Sequence, residues 1–232
     1  MITVKKDAIM YKDSDGKMQS AGVICQMGTF GMDNMKYVTA FASMFANAEF
    51  PEGYVLELDF DSFGKRVVSS NEHSMNYMFQ SATGVEKIIL KTSQKDVITS
   101  WYQTFNKTSA KEIDISEFPV LIKSATQTFY HNYNVEVIKG EFRFSDDVNN
   151  ITNMFGSTTN IKEVRFAKNT IRLSITFAQS PLLSEESVQS IIDGLVDLTG
   201  QTAQTLTLHA DTKAKLTEQQ IATITSKNWT LA

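Results

Sequence analysis

Phenylalanine recurs along most of this chain at nearly regular intervals, each time directly after a methionine or a threonine. The dipeptides are Met44-Phe45, Met78-Phe79, Thr104-Phe105, Thr128-Phe129, Met154-Phe155 and Thr176-Phe177. The last five phenylalanines are 26, 24, 26 and 22 residues apart, whereas the first two are separated by 34 residues, which indicates an insertion. A period of this size is typical of proteins that stack copies of one small structural unit.

The residues that follow each phenylalanine support the repeat. Gly84, Asn134 and Asn160 each lie five residues after a phenylalanine. Glycine and asparagine tolerate the left-handed backbone found just past a helix end, so we predict a short helical turn that ends at these residues. Ala110 occupies this place after Phe105, and we expect a different cap in that copy.

A short run of alternating apolar and polar residues comes next. The runs are 85–90, 110–115, 135–138 and 161–166. Alternation with β-branched residues predicts a short strand that is buried on one side. Each unit would therefore contain a helical turn, a cap, a strand and a return loop. Such a small unit can bury its apolar side only against neighbouring copies, which predicts an α/β solenoid with short parallel strands and short helices.

Residues 184–232 have a more regular pattern. Ser184 is a predicted N-cap for a helix that ends at Gly200. A strand is predicted at 205–208, followed by a second helix whose capping box begins at Thr217. A helix, a strand and a further helix are suited to cover the last open layer of a solenoid.

The chain is therefore divided into three segments. They are residues 1–35, an N-terminal cap or attachment segment; 36–183, the degenerate solenoid; and 184–232, a C-terminal capping repeat. Within the first segment, short strands are predicted at 3–4, 8–10 and 21–25, with a turn at 13–16.

Composition limits the classes of partner. The net charge is −4, so no basic face is indicated and nucleic acid is not expected as a partner. Cys25 is the single cysteine, so the fold forms without an internal disulfide. No apolar run approaches the roughly 18 residues of a membrane span, and no export signal is visible; we therefore expect no membrane insertion.

The repeat also carries a family resemblance. The Met-Phe unit, followed by a small or left-handed residue and an aliphatic strand, resembles the BspA-like leucine-rich-repeat family over roughly residues 40–232. The ending from Gly194 to Trp229 resembles those of repeat proteins encoded by phages and prophages of gut Firmicutes, and the opening from Lys5 to Asp13 is similar to the start of phage tail or fibre-associated proteins. The resemblance implies a leucine-rich-repeat-like solenoid that serves as a surface adhesin or virion part, without a catalytic site.

Few residues suggest cofactor or metal chemistry. The histidines, His73, His131 and His209, lie far apart and without a cysteine at ligand spacing, so zinc is not favoured. Phosphate-binding glycine motifs are absent from the sequence, and we expect no cofactor. The pair Asp146 and Asp147 could supply oxygen ligands to Ca²⁺, although such a stretch is more often a solvated turn.

Aromatic residues cluster beside two of the repeat phenylalanines. Trp101, Tyr102, Tyr130 and Tyr133 could form an exposed stripe for sugars. Aromatic residues at repeating positions more often belong to the core, and this is the interpretation that we favour.

The outward positions of the predicted strands form a candidate binding surface. Because Ile88 and Leu90 are predicted to point inward, the alternate side chains point outward. The outward residues are Lys87, Lys91, Glu112, Asp114, Glu163, Arg165, Thr207 and His209. Opposite charges on neighbouring strands would stabilise the sheet; alternatively, this concave face binds a protein or a glycan, as solenoids often do.

The patterns bear on three classes of function. The favoured one is a structural protein of a phage tail, baseplate or fibre that attaches to other virion proteins through its N-terminal segment, because virions leave the cell by lysis without an export signal. The alternative is a bacterial cell-surface adhesin, which would need an export signal and a wall anchor. An enzyme is not expected, since no cluster of titratable residues is evident. A homo-oligomer is compatible with a virion part.

Overall fold

The fold combines short parallel strands with few helices. The computed structural model describes residues 10–12, 18–20, 42–63, 75–95 and 98–232. Within these ranges the strands are β1 Met10–Lys12, β2 Met18–Ser20, β3 Glu49–Asp59, β4 Thr83–Lys91, β5 Ile98–Ser100, β6 Glu112–Glu117, β7 Leu121–Ser124, β8 Val137–Lys139, β9 Ile175–Phe177, β10 Gln204–Leu208 and β11 Trp229–Leu231. The helices are α1 Glu185–Gly194, α2 Ala210–Lys213 and α3 Glu218–Ser226, with a 3₁₀ turn at Phe60–Phe63. The α/β class predicted from the sequence is confirmed.

Parallel pairing joins strands from successive copies of the repeat. The largest sheet has the order β3-β4-β6-β8, and a second sheet pairs β5 with β7. A three-stranded sheet, β11-β10-β9, lies near the C-terminal end, while β1 and β2 pair in antiparallel fashion. Between β4 and β6, Lys87 lies opposite Glu112 and Ile88 opposite Ile113. Both isoleucines are fully buried, so this register aligns the apolar positions of neighbouring copies on the core side.

The repeat phenylalanines lie in series of tight turns rather than in helical turns. Around Phe79, the amide groups of Met78, Gln80 and Ala82 each donate to the carbonyl oxygen three residues earlier. The amide groups that alternate with them, such as that of Tyr77, donate instead to carbonyl oxygens of the next copy. Each turn series thus satisfies half of its amides internally and half by stacking.

Two residues in each turn series, four positions apart, have a left-handed backbone. The pairs are Ser43 and Asn47, Tyr77 and Ser81, Gln103 and Lys107, Gln127 and His131, and Asn153 and Ser157, with φ between 52° and 61°. A left-handed residue interrupts a right-handed helix. The predicted helical turns of the repeat are therefore wrong, and the helices of the described residues lie after residue 184.

The predicted left-handed caps are only partly correct. Gly84 has φ +75°, and a Cβ there would lie 1.9 Å from a backbone oxygen of β3, so glycine is required. Asn134 and Asn160 do not have a positive φ, and their prediction is wrong. Their side-chain amides instead donate to the carbonyl oxygens of Thr108, at 3.4 Å, and Tyr133, at 2.6 Å, in the preceding copy.

The repeat phenylalanines form one continuous column of stacked rings. The column contains Phe45, Phe79, Phe105, Phe129, Phe155 and Phe177, with successive ring centroids 5.5, 5.2, 5.3, 5.2 and 4.7 Å apart. The first four ring pairs are within 9° of parallel, and the last is tilted by 25°. These spacings are those of offset stacking. At most 1 % of any of these residues is exposed, so the column is the centre of the core.

Helix α1 packs where a further strand of the large sheet would lie. The hydroxyl of Ser187 accepts a hydrogen bond from the backbone amide of Val164 at 3.0 Å, and that of Ser190 accepts one from Phe166 at 2.9 Å. The predicted strand at 161–166 is wrong, since this segment forms only isolated bridges. Side chains of the helix therefore satisfy amides that would otherwise form an open sheet edge.

Both predicted helix starts in the C-terminal segment are confirmed. The Ser184 side chain accepts from the backbone of Ser187, and Thr217 forms the predicted capping box. Helix α1 ends at Gly194, so its predicted end at Gly200 is wrong. The Lys227 ammonium donates to two carbonyl oxygens at this helix end, at 3.1 and 2.7 Å, and complements the negative end of the helix dipole.

The remaining sequence predictions concern single strands. Strand β10 confirms the prediction at 205–208, whereas α2 and β11 were not predicted. The prediction at 8–10 overlaps β1, and its partner β2 was not predicted. The predicted strands at 3–4 and 21–25 and the turn at 13–16 lie outside the described residues.

Replacement of a ring in the middle of the column should be costly. Phe105 has a stacked ring on each side, so Phe105→Ala leaves a cavity and should lower the free energy of unfolding by about 3–5 kcal/mol. Phe105→Leu retains most of the apolar volume and should cost about 1–2 kcal/mol. Urea unfolding followed by circular dichroism measures both, and equal values would contradict a structural role for the stacked rings.

Removal of the C-terminal segment should expose the core. A 1–183 fragment lacks α1, whose buried side chains, including Val188, Ile191 and Ile192, cover the preceding copy. We expect this fragment to aggregate or to lose cooperative unfolding. Size-exclusion chromatography and urea unfolding test this, and a soluble monomer that unfolds cooperatively would show that the segment is dispensable.

Candidate binding face

Charged side chains line the outward side of the large sheet. We call this surface the charged strand face, and it consists of Glu57, Lys87, Lys91, Glu112, Asp114, Glu117 and Lys139. The alternate residues of β4, Ile88 and Leu90, are fully buried in the core. Period-two alternation therefore places the charges on one side of the sheet and the apolar residues on the other.

The centre of the charged strand face is a carboxylate between two ammonium groups. The Nζ atoms of Lys87 and Lys139 lie 2.8 and 2.7 Å from the same oxygen, Oε1 of Glu112. Lys87 also lies 3.9 Å from a carboxylate oxygen of Asp114. The sequence prediction that Lys87 lies near the acids of the next copy is confirmed.

A second group of charges lies further along the same strands. The Nζ atom of Lys91 is 2.9 Å from Glu57 on one side and 3.8 Å from Glu117 on the other. Lys91 therefore joins acids from two different copies of the repeat, whereas Lys87 contacts two acids of the same strand, β6. Cross-strand pairs of opposite charge stabilise a sheet by a modest amount.

These contacts move the pKa values of charged groups on the face further from neutral pH. Partial burial raises the pKa of the Glu112 carboxyl, but the ammonium groups of Lys139 and Lys87 outweigh burial and hold that pKa below its usual value. Burial likewise raises the pKa of Asp114, and hydrogen bonds from Ser116 reverse this and lower it. The hydrogen bond to Glu112 raises the pKa of Lys139. All three groups therefore stay charged over a wider pH range.

The other predicted face residues are divided between this layer and a different sheet. Glu163 follows β8 and bridges to Val137 through its backbone, so it continues the same layer. Thr207 and His209 do not share the charged strand face, because β10 belongs to the separate β9-β10-β11 sheet. The Nδ1 atom of His209 accepts from the backbone amide of Asp211 at 3.2 Å, which makes this histidine the N-cap of α2.

Arg165 lines an open groove beside α1. The groove has a volume of about 340 Å³, and its other polar lining residues are Glu141, Lys168, Glu186, Gln189, Ser190 and Asp193. Its mixed charges continue the chemistry of the charged strand face toward the C-terminal segment. Arg165 therefore extends the candidate surface rather than belonging to its centre.

Sequence reasoning missed three members of the face, Glu57, Glu117 and Lys139. Lys139 lies one residue beyond the predicted strand at 135–138, although it continues the same alternation. Glu57 lies in β3, whose alternating run from Val55 to Asp59 could have been detected. The insertion between the first two phenylalanines placed that strand outside the expected register.

The Asp146–Asp147 pair is engaged by basic side chains. Asp146 forms an ion pair with Arg172, and Asp147 lies 2.7 Å from the Lys123 ammonium. The hydrogen bond from Lys123, helped by that from Ser145, lowers the pKa of Asp147. These contacts favour the solvated-turn interpretation over a calcium site.

The described residues offer little for other kinds of site. Among them, no group of three or more histidine, cysteine or acidic side chains is placed to hold a metal ion. No helix within the described ranges is long and apolar enough to cross a membrane. His73 and Cys25 lie outside these ranges.

The aromatic residues singled out from the sequence divide into two groups. Trp101 is fully buried and packs edge-on against Phe105 and Phe142, so the core interpretation is confirmed for it. Tyr102 and Tyr130 are half-buried, and Tyr133 is 52 % exposed. The core interpretation is therefore wrong for Tyr133.

No known protein family matches the chain, and no curated protein or solved structure is significantly similar to it.

The paired charges should make the stability of the fold depend on pH under acidic conditions. Folding lowers the pKa of Glu112. Its contribution to the free energy of unfolding is therefore complete above the pKa that Glu112 has in the unfolded chain, and it is lost as the pH falls through the pKa of the folded state. Glu112→Gln should lower the free energy of unfolding by about 0.5–1 kcal/mol at neutral pH, a value reduced by solvent screening. Denaturation at several pH values should show the difference shrink as the pH falls below about 4.3, the ordinary pKa of glutamate, and vanish only below the lowered pKa of the folded state.

Glu117→Gln is the matched control for this measurement. Its carboxylate lies 3.8 Å from Lys91, and the side chain is 71 % exposed. We expect a change of at most a few tenths of a kcal/mol. If Glu117→Gln and Glu112→Gln have equal effects, then the central position of Glu112 between two ammonium groups has no energetic consequence.

Proposed function

We propose that this chain is a leucine-rich-repeat-like solenoid of the BspA-like kind, and that it acts as a non-enzymatic binding or structural module. The column of six stacked phenylalanines supports the solenoid, because each ring occupies the same place in its copy. The backbone hydrogen bonds that run from copy to copy in the turns support it independently. Solenoids bind partners through the extended surface that such stacking creates.

We assign the three segments of the solenoid as follows: residues 1–35 are the N-terminal cap or attachment segment, 36–183 the repeats, and 184–232 the C-terminal cap. The hydroxyls of Ser187 and Ser190, which bond to backbone amides of the preceding copy, support the capping role of the last segment. A cap of this kind prevents the last layer from pairing with another chain.

The charged strand face is the binding surface of the proposed function. The observation that carries this assignment is the ladder of ion pairs across four parallel strands, centred on Glu112 between Lys87 and Lys139. Such a surface suits a polypeptide partner with its own alternating charges, because complementary charges steer association and fix its register. The groove at Arg165 extends that surface.

A catalytic role for this surface is not part of the proposal. General acid–base catalysis works best with a pKa near the working pH. The pKa values of Glu112 and Asp114 are lowered and that of Lys139 is raised, so all three shifts lead away from neutrality. The chemistry of the face therefore favours recognition over proton transfer.

The resemblance of both ends of the sequence to phage proteins favours a place in a virion, in the tail, baseplate or fibre. In that setting the N-terminal segment would attach to other virion proteins, and the charged strand face would contact a protein of the host surface. A bacterial cell-surface adhesin is the alternative, and it would use the same face.

Two measurements test the proposal. Mass spectrometry of purified virions should detect the chain; its absence there, together with its presence on the bacterial surface, would favour the adhesin. Labelled protein should bind intact host cells, and the double variant Glu112→Lys/Asp114→Lys should bind about tenfold or more weakly because it reverses the charge at the centre of the face.

Lys213→Glu/Lys215→Glu is the control for cell binding. Both lysines are exposed in the C-terminal segment, away from the large sheet, and the variant also reverses two charges. Binding should be unchanged. This control changes the net charge in the opposite direction, so a gain in binding that matches the loss in Glu112→Lys/Asp114→Lys would mean that the effect is one of net charge. Equal weakening by both double variants would mean that the loss is not specific to the charged strand face.

A further inference from the structure

One copy of the repeat has aromatic side chains at positions where the other copies have none. The first, second and fourth residues after Phe129 are Tyr130, His131 and Tyr133. The same positions hold Gln80, Ser81 and Thr83; Asn106, Lys107 and Ser109; and Gly156, Ser157 and Thr159. The second position is left-handed in all four copies, so the backbone is alike there. The fold therefore does not require these aromatic residues.

The three rings form a stack that ends in solvent. The ring centroids of Tyr130 and His131 are 3.9 Å apart with an interplanar angle of 25°, and those of His131 and Tyr133 are 5.9 Å apart at 26°. Tyr133 is 52 % exposed, and it is the only aromatic residue with more than half its surface exposed among those whose side chains the structure describes. About half of the Tyr133 surface is thus available to a ligand.

The neighbouring residues hold this stack in place. A Cβ at position 156 would lie 2.7 Å from the Tyr130 ring, so Gly156 in the next copy leaves the space that the ring needs. The side-chain amide of Asn160 donates to the Tyr133 carbonyl oxygen at 2.6 Å. The fully buried Asn132 accepts from two backbone amides that follow Tyr133. A surface fixed in this way loses little conformational entropy on binding.

We propose that Tyr130, His131 and Tyr133 form a carbohydrate-binding site in which a pyranose ring stacks on Tyr133. A sugar ring has an apolar face of C–H groups and a rim of hydroxyls, which match an exposed aromatic ring surrounded by polar side chains. Backbone hydrogen bonds locate Lys107 on one side of the stack and Gly156 on the other. Next to Gly156, the hydroxyl of Ser157 donates to the side chain of Gln179 at 3.0 Å. Tyrosine combines a large contact area with few rotatable bonds.

This site is separate from the charged strand face. It lies on the turns around the phenylalanine column, whereas the proposed partner surface lies on strands β3, β4, β6 and β8. A module with both surfaces can contact a glycan and a protein on the same host, and two linked contacts bind more tightly than either alone.

A glycan array tests the proposal on the full chain. The array carries defined oligosaccharides that end in a neutral hexose, an N-acetylhexosamine or a sialic acid, and a decaproline peptide on the same slide is the comparison ligand that is not a carbohydrate. We expect binding to one glycan class, and at least about tenfold weaker binding by Tyr133→Thr, which corresponds to the loss of one stacking contact. Threonine occupies the same position after Phe79 and Phe155, so this variant should keep the fold, as checked by its thermal unfolding midpoint.

Tyr77→Gln is the matched control. It removes a half-buried tyrosine from the turns of another copy, and glutamine occupies the same position in the copies of Phe105 and Phe129. Glycan binding should be unchanged. Binding of no glycan, binding of decaproline alone, or an equal loss in Tyr77→Gln and Tyr133→Thr would each overturn the carbohydrate site, while the Glu112→Lys/Asp114→Lys result for cell binding would stand.

Discussion

Each turn series can satisfy only half of its own backbone amides, and this constraint determines the rest of the structure. The amide of Phe105, for example, donates to Thr128 in the next copy, and that of Lys107 donates to Tyr130. Left-handed backbone at non-glycine residues costs about 1–2 kcal/mol each, so an isolated copy would be unfavourable. Stacking offsets this cost because it pairs the remaining amides and buries the phenylalanine rings together. The parallel strands and the C-terminal segment then follow from the need to bury and close the stack.

The repeat could be predicted because its central residue must be large, apolar and regularly placed. The phenylalanine column needs one ring per copy, and that requirement remains visible in a degenerate sequence. The turns were mistaken for helix because overlapping tight turns place apolar residues at the same three- and four-residue spacing as a helix. Residues such as Tyr77 and Gln127 seldom adopt a left-handed backbone, so their conformation is imposed by the neighbouring copies. Asn134 fulfils a different need, since its side chain bonds to the preceding copy.

The contact between Lys87 and Glu112 in the charged strand face could be predicted for a similar reason. Alternation along β4 and β6 fixes which side chains point outward, and parallel pairing then places Lys87 beside Glu112. The alternation of apolar and polar residues does not indicate to which sheet a strand belongs. Thr207 was therefore assigned to the wrong surface. Membership of a sheet depends on how the whole chain stacks. Helix α1 packs beside the last layer of the large sheet, and β10 pairs with β9 and β11 in a separate sheet.

The two surfaces differ in how much of their chemistry the fold itself explains. Lys87, Glu112 and Lys139 recur as outward residues of paired strands, and their mutual attraction accounts for part of their presence. Tyr130 and Tyr133 have no such explanation, because the same positions elsewhere hold small polar residues on the same backbone. In a repeat protein the copies serve as internal controls for one another. A departure confined to one copy is therefore stronger evidence of a ligand than a pattern shared by several, and the aromatic stack defines a ligand class more sharply than the charges do.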